Sequence, residues 1–377
     1  MKSDHLKALT SAHGPYLSVY LDDSRDSAEA AAEVDARRRD IMRQALDAGA
    51  DEATATAVDQ VIQHGPAPVG RRGRAVIAAG GKVLVDVQLS GPPLHTLVRV
   101  GEYPYFLPLL DAWRPPYVFA AVDHLGADIT AHHGDTTRTE HVEGDGYPVH
   151  KPKAAGWHGY GDVGHSAEEA ARMNARAVAD RLTAVVDETG AEVLFVSAEV
   201  GARTETLAAL PERIAARVVA LPAGSSGRRM EEDDAEELIT AELDRRRDAA
   251  MADTDARLRA EIGRGSDLAA EGLPAVCAAL RAGDVDTLIV GDLADATVVI
   301  GSPRPVVAPD ADTLSELGEA PGAVVRADEV LPFVALTVGA CVTRSADDID
   351  LVDGVAALLR YPAPGLMDAA GTATGAH

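Results

Sequence analysis

The 377-residue chain has no run of about 20 apolar residues, so nothing in it reads as a membrane-spanning helix. Its opening stretch, MKSDHLKALTSAHGPY, has no apolar h-region, so a secretory signal is not expected and a cytoplasmic location is. Cysteine is scarce. Cys277 and Cys341 both sit in apolar settings (AVCAAL and GACVT), which suits buried thiols in a reducing compartment and excludes a disulfide scaffold. Positive charge is also short: 35 Lys and Arg against 60 Asp and Glu leave a net −25, an unlikely balance for a DNA-binding protein. Signature motifs of catalysis are missing too. Gly224-Ser-Ser-Gly-Arg-Arg lacks the P-loop spacing, and Gly80-Gly81 reads as a hairpin turn rather than a dinucleotide fingerprint. Seven histidines fall between His124 and His165, yet no HxH, HxxxH or CxxC pairing joins them. His132 and His133 are adjacent on an expected strand and so point to opposite faces. No Ser-His-Asp arrangement is legible, and neither a metal nor a cofactor is expected. Glu231-Glu-Asp-Asp234 needs only a helix N-terminus to explain it.

What is present is a globular composition, 46% hydrophobic and 25% charged, in a chain long enough for two or three domains. Pattern breaks divide it into residues 1–112, 113–225 and 226–377. The first two segments carry net charges of about −3 and −6, and the third about −16. Acidity is thus gathered in the last third, which is expected to face water or a protein, while the first two are near enough to neutral to have an RNA-facing side. In the first segment, residues 16–21 alternate as a strand, helices are expected over 27–48 and up to about 63, and strands 74–79 and 82–87 flank Gly80-Gly81. Residues 103–110 lead into Trp113-Arg-Pro-Pro, where prolines end regular structure. The second segment opens on residues 117–123, apolar on both faces as in a sheet covered twice. Strands 127–132 and 137–141 come before a loop over 144–164, and Ser166 with Glu169 forms a capping box for a helix reaching about 188. Strand 193–197, helix 204–210 and strand 218–221 complete an α/β layer domain, and residues 222–227 form a linker. A charged helix over 231–262, with Leu238, Leu243, Met251, Leu258 and Ile262 as its apolar positions, opens the third segment. Helix 273–282 and strands 287–290 and 297–300 come next, followed by 333–338 and 340–342. The first segment is therefore mixed α/β, and the second and third are α/β layer domains.

The third segment contains Ala260-Glu-Ile-Gly263, Gly272-Leu-Pro-Ala-Val-Cys-Ala-Ala-Leu280 and Gly283-Asp-Val-Asp-Thr-Leu-Ile-Val290. This order resembles the C-terminal domain of archaeal and eukaryotic class I release factors and of Pelota, an α/β/α sandwich like ribosomal protein L7Ae. The Ser-Val-Tyr-Leu strand near the start, and a middle domain whose long loop precedes a long helix, extend that resemblance over nearly the whole chain. Gly146-Tyr-Pro-Val-His-Lys-Pro and Ala155-Gly-Trp-His-Gly-Tyr-Gly-Asp are similar to actinobacterial members of the bacterial-archaeal release-factor-like group, which includes the Balon-type ribosome hibernation factors. One departure matters. The middle-domain loop of release factors carries Gly-Gly-Gln, whereas Gly156-Trp-His-Gly-Tyr-Gly161 has no glutamine, and none occurs after Gln88. The resemblance therefore implies a ribosomal A-site factor without the termination chemistry.

The loop's composition suits RNA. His150, Lys151 and Lys153 can meet phosphates; Trp157, His158, Tyr160 and His165 can stack on bases or bond ribose. The alternative is a loop whose Trp157 and Tyr160 fold back onto their own domain. Arg71, Arg72 and Arg74 form a basic turn that could touch ribosomal RNA near the decoding centre, or simply be solvated. The expectation is hibernation or protection of the idle ribosome, with contacts at the A site and peptidyl transferase centre. The acidic third segment would meet elongation factor Tu or the ribosomal stalk. Two alternatives stay open: a rescue enzyme that hydrolyses peptidyl-tRNA or cleaves tRNA, and a non-ribosomal adaptor on the same fold.

Overall fold

A strand that is apolar on both faces needs a cover on each side, and this rule explains most of the layering. The computed structural model describes residues 6–24, 30–65, 72–89, 91–112, 114–133, 136–143, 160–224, 229–301, 306–346 and 349–362. The chain begins with α1 (Lys7–Ser11), β1 (Tyr16–Asp22), α2 (Ala30–Asp47), α3 (Glu52–His64), β2 (Gly73–Ala79), β3 (Lys82–Leu89), β4 (Leu97–Gly101) and α4 (Leu107–Ala112). The four strands pair antiparallel in the order β3-β2-β1-β4. Leu17, Val19 and Leu21 face Ile41 and Ala45 of α2 and Val58 and Ile62 of α3. Tyr16 and Tyr20, on the other face, belong to a second core. Asp51 caps α3 by accepting from the Thr54 amide. Gly80 and Gly81, with φ of 56° and 74°, make the two-residue turn from Ala79 to Lys82.

Next come β5 (Tyr117–Val122), β6 (Gly126–His133), β7 (Thr136–Glu143), α5 (Tyr160–Thr189), β8 (Val193–Ala198), α6 (Val200–Ala209), α7 (Glu212–Ala215), β9 (Val218–Leu221) and α8 (Glu232–Arg264). The sheet order is β7-β6-β5-β8-β9, with β5, β8 and β9 parallel and β6 and β7 antiparallel. Val118, Ala120 and Val122 pack with Val178, Leu182 and Val186 of α5. Tyr117, Phe119 and Ala121 pack with Ala235, Ile239 and Leu243 of α8. Two expectations are corrected. Helix α5 starts at Tyr160, so Ser166 lies inside it and the Ser166–Glu169 capping box does not open it. Of the apolar positions expected on α8, Leu243 and Leu258 are buried, but Leu238 and Ile262 are exposed, and the stripe facing β5 runs through Ala235, Ile239 and Leu243 at i, i+4, i+8.

The remaining elements are β10 (Ala269–Glu271), α9 (Gly272–Ala282), β11 (Val285–Val290), β12 (Thr297–Gly301), β13 (Val307–Ala308), α10 (Ala311–Glu316), β14 (Pro321–Arg326), α11 (Ala327–Thr337), β15 (Cys341–Arg344) and β16 (Val355–Leu359). They make a sheet β10-β16-β11-β15 and a smaller one, β13-β12-β14. Gly283, with φ of 75°, ends α9 and turns the chain into β11. Leu258 of α8 packs with Ile289, Ala356 and Leu358 on one face of the larger sheet. The core on its other face includes Val276 and Leu280 of α9 and Val330 and Val334 of α11. Residues 333–338 thus belong to α11 and its cap, not to a strand. The buried Cys277 thiol is pushed up to about 12 by burial, and Cys341 is half-buried; both are free.

The chain forms two compact units, Arg114–Arg246 and a unit composed of Met1–Trp113 with Arg247–His377. Within the composite unit one continuous core runs from Leu9 and Tyr16 to Phe333 and Leu359. The Phe333 ring lies 5.1 Å from that of Tyr103 and 6.3 Å from that of Tyr16. Arg99 covers the Tyr105 ring at 3.7 Å and donates to Asp328 at 2.8 Å and Glu329 at 3.4 Å. Among the described residues no helix is long and apolar enough to cross a membrane.

Candidate functional site

The loop singled out in the sequence joins β7 to α5, and the described residues around it define its frame. Gly126 pairs with Glu143, so β7 ends beside the turn that follows β5. At the same end of the sheet, Asn174 of α5 donates to the His124 carbonyl at 2.9 Å. The helix then runs down the sheet to Thr189, whose carbonyl accepts from His133 Nδ1 at 2.9 Å. Fourteen residues separate Tyr160 from Asn174. At 1.5 Å per residue, the part of α5 before Asn174 is about 20 Å long. Beyond Asn174 the helix is fixed on the sheet by Arg181, which bonds Glu140 of β7 at 2.7 Å.

The turn itself is pinned electrostatically. Arg229 holds Asp123 with two bonds of 2.9 and 3.1 Å and lies 3.2 Å from Asp128. His141 Nδ1 donates to Asp128 at 2.5 Å. Burial works against both carboxylates, but Arg229, together with the Leu125 and Gly126 amides at Asp123 and with His141 at Asp128, holds them below the usual range. A Cβ on Gly126 would lie 2.0 Å from the Val142 carbonyl oxygen, so only glycine fits there. Asp123, Asp128 and Glu143 outweigh Arg229, so this corner does not itself attract phosphate. Arg172 and Arg176 are exposed on α5 one turn apart, in a stretch whose sequence also holds Asp162, Glu168 and Glu169.

Of the residues expected to meet RNA, His150, Lys151, Lys153, Trp157, His158 and Arg71 lie outside the described residues. Tyr160 and His165 fall in the first two turns of α5. Arg72 is half-buried, and its backbone is tied to Ser24 through bonds of 3.1 and 3.3 Å. Arg74 is corrected: it is a core residue. It is 3% exposed and binds Asp86 through Nε and Nη2 at 2.6 and 2.7 Å, with Asp23 3.9 Å away. Burial opposes its charge, yet those carboxylates keep its pKa above the ordinary value. The histidines on the strands are spoken for structurally. His132 stacks on Tyr117 at 4.3 Å, and its Nε2 lies 2.8 Å from Glu232 Oε1. Among the described residues no group of three or more His, Cys, Asp or Glu could hold a metal.

Residues 116–264, which take in the frame, the loop and all of α8, match the model of the bacterial archaeo-eukaryotic release factor family 2. Over 365 residues the chain is 50% identical to the uncharacterized protein Rv2629 of Mycobacterium tuberculosis H37Rv, covering 96% of this chain and 98% of that one. The same values hold for its counterpart in strain CDC 1551. The chain belongs to the bacterial archaeo-eukaryotic release factor family 2. Similar solved structures include Archaeoglobus fulgidus Pelota, at 16% identity over 96% of this chain and 93% of that one, with a TM-score of 0.36. A model of ribosome-bound archaeal Pelota and ABCE1 has 14% identity over 96% and 94%, with a TM-score of 0.41.

Within this family member, the matched region contains no glutamine. Sequence reasoning overlooked Asn174, Arg229 and the Arg172–Arg176 pair. Asn174 is 2% exposed in mid-helix and has no local signature, and Arg229 follows a Gly/Ser-rich linker where it reads as solvated. Asp123-His-Leu-Gly126 was findable, since Asp first and Gly fourth is a common type I turn pattern.

Proposed function

We propose that this protein binds the ribosomal A site and protects the idle ribosome without releasing peptide, as a Balon-like hibernation factor in the cytoplasm. The observation that carries the reading is the pairing of family membership with a glutamine-free segment that leads into the long helix α5. A release factor needs a group that positions water at the peptidyl ester; here the loop instead offers Lys151, Lys153, His150 and aromatics suited to binding RNA. In this reading the chain works as three functional parts. Residues 1–112 face the decoding centre. Residues 113–225 carry the loop toward the peptidyl transferase centre. Residues 226–377 form an L7Ae-like domain that meets a protein such as elongation factor Tu or the stalk.

The test is peptide release from a peptidyl-tRNA·ribosome complex. The expected release equals a no-factor control. Release well above that control, lost in His158→Ala, would replace protection with a rescue enzyme. Failure to co-sediment with ribosomes at all would favour a non-ribosomal adaptor.

A further inference from the structure

The small sheet β13-β12-β14 ends in a strand that no described residue covers. β14 pairs only with β12, through Thr297–Arg326, Val298–Val325 and Val299–Val324. Its outer edge therefore presents the amides and carbonyls of alternate residues to solvent. Exposed edges are usually guarded by charge on the strand itself, most often lysine. Between Pro321 and Val325 there is none: the sequence is Pro-Gly-Ala-Val-Val. Val324 is 67% exposed and Leu317, in the approach to the strand, 52%. Pro321 guards only the first position.

The surroundings say what kind of chain could lie there. Within residues 291–326 the described acidic side chains are Asp292, Asp295, Asp310, Asp312, Glu316 and Glu319. The described basic one is Arg326, already held by Asp328 at 2.9 Å and Asp295 at 3.1 Å. RNA is repelled by this charge and offers no peptide edge. A second copy, pairing β14 with β14, would set two acidic lobes against each other. Glu319 lies two residues before β14 and Asp295 meets Arg326 at its other end, so an extended protein segment with a short β-branched run between basic residues meets both demands, pairing its backbone with the edge and its charges with the acids at the strand's two ends.

We infer that the outer edge of β14 is a docking site for an extended basic segment of a partner protein, which joins the sheet as a further strand. The inference gives a surface to the protein-facing role of the third segment and rests on that part of the reading above.

The test uses the full chain and a fluorescent peptide, Lys-Arg-Val-Thr-Val-Thr-Val-Arg-Lys, followed by anisotropy. Two controls keep the same core: one flanked by Glu and Asp, the other with alternate backbone amides N-methylated. The basic peptide is expected to bind about tenfold or more tighter than either control, and to weaken as salt rises. Val324→Lys and the pair Glu316→Lys/Glu319→Lys should each reduce its affinity by about tenfold or more. Their melting temperatures should stay at the parent value, since all three side chains are exposed or half-exposed. Equal binding of the N-methylated peptide would reduce the site to simple charge attraction and overturn strand addition. Absence of binding would overturn the site, as would a concentration-dependent dimer abolished by Val324→Lys, which would assign the edge to a second copy. Because the peptide is read on the purified chain, its failure leaves ribosome binding standing, and a failure to bind ribosomes leaves this surface standing.

Discussion

Replacing Phe333 with alanine tests whether the first and last parts of the chain fold as one cooperative unit. Phe333 is 4% exposed on α11, with Tyr103 at 5.1 Å and Tyr16 at 6.3 Å, both rings contributed by the N-terminal segment. Removing a buried Phe costs about 3–5 kcal/mol through lost transfer energy and the cavity left behind. A domain's total stability is roughly 5–15 kcal/mol, so the loss is a large share of it. Tyr16 is fixed from its far end, its hydroxyl lying 2.8 and 2.7 Å from the Leu9 and Ala12 carbonyls, so it cannot swing in to fill the space. Hydrogen exchange followed by mass spectrometry reads the consequence region by region. Phe333→Ala should lower protection in β1, β4 and α11 together and leave β5 and β8 unchanged. Phe195→Ala, in the other unit and fully buried, should do the opposite. Loss confined to α11, with β1 as protected as before, would refute the shared core as a cooperative unit.

Three more outcomes follow from the electrostatics and burial. Arg229→Met strands Asp123 and Asp128 and should cost about 1–3 kcal/mol at pH 7, measured by urea unfolding. Both carboxylates are depressed in the folded state, so their contribution is complete above about pH 4 and fades as pH falls through the folded values. The variant should therefore lose less stability than the parent between pH 5 and pH 2, and an unchanged acid limb would contradict the assignment. Glu329 is raised by burial and by neighbouring Asp328, so its ionised form is penalised above the folded pKa and not below about pH 4. Glu329→Gln should raise the melting temperature at pH 7 and leave it unchanged near pH 4; a loss at pH 7 would show that the Arg99 bond outweighs burial. Cys277, with its thiol pushed up to about 12, should resist a thiol reagent at pH 8 until the protein unfolds, which mass mapping of the labelled sites checks.

Sequence patterns were most informative where a strand is buried on both faces or a turn demands glycine. β5, β8, β11 and the Gly80-Gly81 hairpin all meet one of these conditions. Edges were harder. β4 is half-buried throughout, and β14 begins Pro-Gly with four exposed residues, so neither shows the alternation of a half-buried strand. The run from Phe333 to Val338 shows the reverse difficulty: a short apolar stretch fits a buried helix as well as a strand, and Pro332 just before it argues against a helix that nonetheless forms. Arg74 looked like one of a basic trio because charge in a turn-rich stretch usually means solvent. Its Asp86 partner lies across the hairpin on β3, a pairing that only strand register brings together. Helix α5 starts six residues before Ser166, whose local capping signal lies within the helix.

The most direct test of the central claim is ribosome binding by the loop. Purified chain and the Lys151→Ala/Lys153→Ala variant are pelleted with idle ribosomes over a range of salt concentrations. The account predicts that the parent co-sediments, that the variant binds more weakly, and that the slope of log affinity against log salt flattens by about 1.5 as two phosphate contacts are lost. Equal affinity and equal slope for parent and variant would contradict the loop as the ribosome-facing site.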